Sequence, residues 1–127
     1  MKQNNEVLAI AKHPQHGTDI LVYDSSWTHA LDGHYELEDC EGPNYCLEEV
    51  VETLNNPDAI LEGRKPETEE LFVRYTEQTG ETEFTGYSVS TRIEDDITYM
   101  TTAYHDVVKP WNKGNVKWTK NKGAVNE

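Results

Sequence analysis

Basic residues are scarce in this chain. Eleven lysines and arginines face twenty-four aspartates and glutamates, leaving a formal net charge of −13. That balance repels nucleic acid at long range and excludes a broad polycationic surface. Long apolar runs are missing as well. No stretch approaches the length that crosses a bilayer, and the opening Met1-Lys2-Gln3-Asn4-Asn5 lacks the apolar core of a signal peptide. The expectation is a cytoplasmic protein with no membrane partner. Cysteine is nearly absent: Cys40 and Cys46, with Gly42-Pro43 between them, are too few for a zinc site unless histidines join. In a reducing compartment they are expected as partly buried free thiols. Hydrophobic residues make up only 35% of the 127 residues, which argues against a large sandwich core. The length fits one domain, with a thin core shared by a sheet and a layer of helices.

What charge there is lies unevenly. Residues 1–63 hold two lysines against thirteen acids, residues 64–108 four basic residues against ten acids, and residues 109–127 five lysines against one acid. The chain reads as an acidic body, residues 6–108, with a basic tail, 109–127. Such a tail touches RNA, folds back on the body or keeps the terminus solvated.

Along the chain, Val7 to Ala11 and Asp19 to Tyr23 are short apolar runs. The turn residues His13-Pro14-Gln15-His16-Gly17 between them predict a β-hairpin. Ser25 or Ser26 offers an N-cap for a helix carrying Trp27, Leu31 and Leu37. Gly33 weakens it by about 1 kcal/mol relative to alanine. A second helix is predicted from Leu47, Val50, Val51 and Leu54, an apolar stripe backed by Glu48, Glu49 and Glu52. Asn55-Asn56-Pro57 stops it, and Ile60 and Leu61 are expected to pack back against its end. The period then turns to alternation. Leu71 to Tyr75, Phe84 to Ile93 and Ile97 to Tyr104 read as a three-stranded antiparallel meander, turning at Thr79-Gly80 and Glu94-Asp95-Asp96. In the last strand Ile97, Tyr99, Thr101 and Ala103 are expected on one face.

Chemistry concentrates in two places. One is Trp27-Thr28-His29-Ala30-Leu31-Asp32-Gly33-His34, with two histidines five residues apart. The other is Thr102-Ala103-Tyr104. Together with the Pro57-Asp58-Ala59-Ile60 step, this order resembles the phage and toxin-type nucleases of the barnase, EndoU, colicin and RelE superfamily, over roughly residues 20 to 105. The family often has arginine where Gly33 stands and proline where Tyr35 stands. The resemblance implies an α+β fold in which an N-terminal hairpin and two helices pack on an antiparallel meander. It also implies metal-independent RNA cleavage by attack of the substrate's 2′-hydroxyl on the adjacent phosphate, with no cofactor. His29, His34, Thr102 and Tyr104 are then the catalytic candidates, because such cleavage needs a base, an acid and hydrogen-bond donors. Arg64, Arg74 and Arg92 are the candidate phosphate clamps that replace the missing arginine. RNA is the implied substrate, and a toxic nuclease needs an immunity or antitoxin partner.

On an ideal helix His29 and His34 point about 140° apart, so one site uses both only if the helix ends between them. His13 and His16 read as solvated turn histidines, and His105 as a residue able to reach a site at the end of its strand. Two other readings stand beside the nuclease: a catalytically inactive protein-binding relative of the same fold, and a small ligand-binding or structural domain whose Trp27, Tyr75, Tyr87 and Tyr99 form an ordinary core. An open positive cleft supports the first, an exposed apolar or acidic patch the second, a closed apolar pocket the third.

Overall fold

The computed structural model describes residues 6–33, 43–78, 84–108, 116–120 and 123–124. Eight strands form one mixed sheet in the order β1-β2-β6-β5-β4-β3-β7-β8. In chain order these are β1 (Val7–Lys12), β2 (Asp19–Tyr23), β3 (Ala59–Glu62), β4 (Glu69–Gln78), β5 (Phe84–Glu94), β6 (Ile97–Val108), β7 (Val116–Thr119) and β8 (Gly123–Ala124). Helices α1 (Asp24–Gly33) and α2 (Pro43–Asn55) complete the described elements. None of the described helices is long and apolar enough to cross a membrane.

The hairpin, the two helices and the three meander strands fall, in their described residues, where the periodicity placed them; Leu37 and the Thr79-Gly80 turn lie outside the described residues. Their assembly does not follow the expected RelE/barnase-like α+β arrangement of hairpin and helices on a separate meander. Instead β2 pairs in parallel with β6 through Ile20↔Thr98 and Leu21↔Tyr99, welding the hairpin to the meander. On the far side Ala59–Glu62, expected to pack on the helix end, is a strand between β4 and β7. Part of the basic 109–127 segment, as β7 and β8, thus belongs to the sheet. A short apolar run suits a strand and a helix flank equally, and its distant partners decide between them.

One face of the sheet carries the core. Val50 and Leu54 of α2 and Trp27 and Ala30 of α1 pack on Ile20, Val22, Ile60, Phe72, Tyr87, Val89, Met100 and Ala103. Cys46 joins this core and is disulfide-bonded, not a free thiol as expected. The only other cysteine in the sequence, Cys40, lies outside the described residues. A disulfide removes the cysteine argument for a reducing cytosol.

Alternation sends the neighbours of these core residues to the opposite face, on which no described helix packs. There Ala59, Leu61 and Val73 make a small second cluster with Leu71 and Tyr75. In β6 the expected alternation breaks. The register slips between Ser90 and Thr91, leaving Thr101 as the extra residue, its Oγ1 donating to the Ser90 carbonyl at 3.2 Å. This bulge lets Met100 and Ala103, three apart, both enter the core, and returns Tyr99, Thr102 and Tyr104 to the open face. The β5–β6 turn closes through Asp95 and Asp96, both at positive φ (54° and 67°), the backbone a two-residue hairpin demands.

Candidate functional site: a cationic cleft on the open sheet face

Glu69 and Arg92 face each other across β4 and β5. The Glu69 Oε2 accepts from Arg92 Nε at 3.2 Å and Nη2 at 2.9 Å. Its Oε1 accepts from the Lys65 backbone N–H at 3.3 Å. Gly63 N–H donates to the Glu69 carbonyl, and Glu69 N–H donates back to the Lys65 carbonyl. One glutamate therefore fixes both an arginine and the turn that presents Arg64 and Lys65. Arg92 holds the Glu69 carboxyl below the usual carboxylate range, against the opposing effect of desolvation, and the Lys65 N–H lowers it further.

Around this pair lies an open cleft of about 630 Å³, walled by Arg64, Lys65, Arg92, Ser90, Thr102 and Tyr104, with Glu69 as its carboxylate. Arg64 and Lys65 are exposed and Arg92 is half-buried. The Arg92 guanidinium held by Glu69, with the exposed Arg64 and Lys65 side chains and several hydroxyls beside it, makes a cradle for a phosphate or carboxylate.

The structure brings together four of the residues singled out from the sequence: Arg64, Arg92, Thr102 and Tyr104. It separates the others. His29 is exposed on α1, whose Trp27 and Ala30 pack on the helix side of the sheet. It does not line the cleft, because the sheet lies between α1 and the face that holds Thr102 and Tyr104. Arg74 also faces the helices and binds no open-face group. Its Nε donates to Thr53 Oγ1 at 3.1 Å and its Nη2 to the Glu49 carbonyl at 3.1 Å and carboxylate at 2.5 Å. It is a brace between β4 and α2, not a phosphate clamp. His34 lies outside the described residues. Asp58, in the Pro57-Asp58-Ala59-Ile60 step, has a structural task, accepting the Tyr75 N–H at 2.7 Å.

The remaining histidines also face away from the cleft. His105 lies against Tyr87 at a 32° tilt, with Nε2 3.2 Å from Thr76 Oγ1. His13 is not the solvated turn residue expected. It is 4% exposed, with its ring edge-on to Phe72. The backbone N–H groups of Gln15 and His16 donate to its Nδ1 at 3.2 and 3.3 Å, so Nε2 carries the proton given to Glu70 Oε1 at 2.9 Å. Lys117 of β7 meets the other Glu70 oxygen at 2.5 Å. This network borders a second cleft of about 770 Å³ at the sheet end, lined by Lys12, His16, Asp19, Glu67 and Asp96 among others. Lys12 and Asp19 are paired across it.

Sequence reasoning missed Glu69 as the organiser of the site. The available signal was its register opposite Arg92, which depends on the strand pairing. Among the described residues no group of histidine, cysteine, aspartate and glutamate is arranged to hold a metal ion. Compared with protein-family models, with curated proteins and with solved structures, the chain matches none.

Proposed function

We propose that the protein is an endoribonuclease that holds an RNA phosphodiester in the open-face cleft and uses the neighbouring 2′-hydroxyl as nucleophile. The observation that carries this reading is charge placement. Of the four basic residues in the acidic stretch 64–108, three line one cleft, beside Thr102 and Tyr104. A chain of net charge −13 binds RNA only through such a local concentration of cations. Arg64, Lys65 and Arg92 hold the phosphate and stabilise the charge that builds in the transition state, and the Thr102 and Tyr104 hydroxyls donate to its oxygens. Proton transfer falls to His34, which lies outside the described residues, and no longer to His29. A nuclease of this kind needs restraint in its own cell, so an antitoxin or immunity partner belongs to the same proposal.

A second reading has one specific support. Arg92 already spends two nitrogens on Glu69, which suits a protein that binds a phosphate-bearing strand without cleaving it. Incubating purified protein with end-labelled RNA in chelator separates the two. Products ending in 2′,3′-cyclic phosphate, lost in Arg92→Ala and in His34→Ala, support cleavage. Intact RNA that is nonetheless bound supports the silent binder.

A further inference from the structure

Beside the cationic cleft the open face continues as an aromatic surface. Tyr23 alternates with core Val22 in β2, and Tyr99 alternates with core Met100 in β6, so both rings stand on the open face. The parallel pairing of β2 with β6 brings them together, at 6.1 Å between ring centroids and 59° between planes. Both are partly exposed. Tyr99 sits opposite Arg92 in the β5–β6 ladder, so the ring pair directly adjoins the cation that Glu69 fixes. The Tyr99 hydroxyl is tied to Glu94 Oε1 at 3.0 Å, which holds the ring in place from its outer end.

An isolated tyrosine on a sheet needs no functional account. Two adjoining open-face rings ending on a cationic cleft match the two parts of a single nucleotide, a base that stacks and a phosphate that needs positive charge. We infer that Tyr23 and Tyr99 form a base platform beside the phosphate cleft, so that the ligand of this face is single-stranded RNA with its bases unstacked from a partner strand. This rests on the reading of the cleft as a phosphodiester site, but does not require cleavage. Duplex RNA turns its bases inward and offers the platform no free π-face.

The test is binding of a fluorescent 2′-O-methyl oligonucleotide, which cannot be cut by 2′-hydroxyl attack. Its affinity is compared with that of the same strand in a duplex and of an abasic strand of equal length. The expected result is that the single strand binds at least about tenfold tighter than the other two. Tyr99→Ala should lose about tenfold in affinity for the single strand and nothing for the abasic one, and Tyr99→Phe should retain it. Equal binding of the base-bearing and abasic strands overturns the platform and leaves the phosphate cleft standing. Base-dependent, single-strand-selective binding with no cutting of ordinary RNA upholds the platform and sinks the nuclease reading. Binding of none of the three strands overturns both. The comparison of strands uses the unaltered protein, so it stands even if a tyrosine variant fails to fold.

Discussion

Glu69 and Glu70 are neighbours in β4 whose carboxylates serve opposite faces of the sheet. Glu69 turns to the open face and is gripped by Arg92, while Glu70 turns to the side of Phe72 and is gripped by His13 and Lys117. The period of two in a strand makes this division unavoidable. Glu69 builds the cleft. Glu70 ties the β1–β2 turn and β7 to β4, and so draws part of the basic C-terminal stretch onto the acidic body.

The Glu70 network predicts a defined acid sensitivity. Burial pushes this carboxyl up, but hydrogen bonds from His13 and Lys117 outweigh it and hold the group at about 2. The folded value is thus depressed below the ordinary value of 4.5. Its stabilisation is complete above pH 4.5 and is lost as pH falls towards 2, because the unfolded chain takes up the proton first. The contribution is on the order of 3 kcal/mol. Thermal unfolding from pH 6 to pH 2 should show a steep drop in Tm below 4.5, and Glu70→Gln should flatten it. An unchanged slope in the variant would assign the acid sensitivity elsewhere.

Glu69→Gln should act on affinity with the opposite sign from most site substitutions. The amide keeps an acceptor for the Lys65 N–H but removes a negative charge from the cleft and releases the Arg92 guanidinium. RNA affinity at low salt should rise several-fold, with some loss of stability. Arg64→Ala should instead weaken binding and reduce the slope of log affinity against log salt by about 0.7, the loss of one phosphate contact on a single strand. Anisotropy titrations over a range of salt concentrations check both. Weaker RNA binding by Glu69→Gln with its fold intact would mean that the Glu69–Arg92 pair itself is the recognition element.

The elements were legible because their residues announce a period. The α2 stripe of Val50 and Leu54 and the alternation of Tyr87 and Val89 against Ser88 and Ser90 decide helix and strand locally. What was not legible is who pairs with whom. The Leu21↔Tyr99 bridge and the strand character of Ala59–Glu62 depend on segments tens of residues away. One bulge at Thr101 then changes which β6 side chains share a face. The same limit explains the site. Arg64, Arg92, Thr102 and Tyr104 carry the right chemistry, but Arg74 has the same chemistry and the opposite face, and residue type does not encode that. His29 has the chemistry of an acid or base as well, and the face on which its helix packs keeps it out of the cleft.

Arg74 provides the contrast that separates fold from function. Its guanidinium joins Thr53 and Glu49 of α2 and lies 5.4 Å from the Tyr87 ring centroid. Arg74→Met should cost about 2–3 kcal/mol in urea unfolding, since Glu49 and the Thr53 hydroxyl lose a partly buried partner. RNA binding per folded molecule should not change. A loss of binding matching that of Arg92→Ala would place Arg74 in the site after all.

Gly63 is where the fold and the cleft are most tightly coupled. A Cβ there would lie 2.6 Å from Glu69 Cβ and 2.8 and 2.9 Å from its backbone carbon and oxygen. These atoms cannot swing aside, because the Gly63 N–H is bonded to that same oxygen at 2.9 Å. Gly63→Ala must therefore push the end of β3 away from β4, at a cost of about 1–3 kcal/mol. The displaced turn carries Arg64 and Lys65, so RNA affinity should fall along with stability. Gly17 supplies the control: its φ is +75° but nothing lies near its missing Cβ. Gly17→Ala should cost about 1 kcal/mol of backbone strain and leave RNA binding intact. Chemical denaturation beside RNA titration of both variants reads the difference. If Gly63→Ala lost stability alone, the positions of Arg64 and Lys65 would not matter to the ligand, and Arg92 would have to carry the phosphate contact by itself.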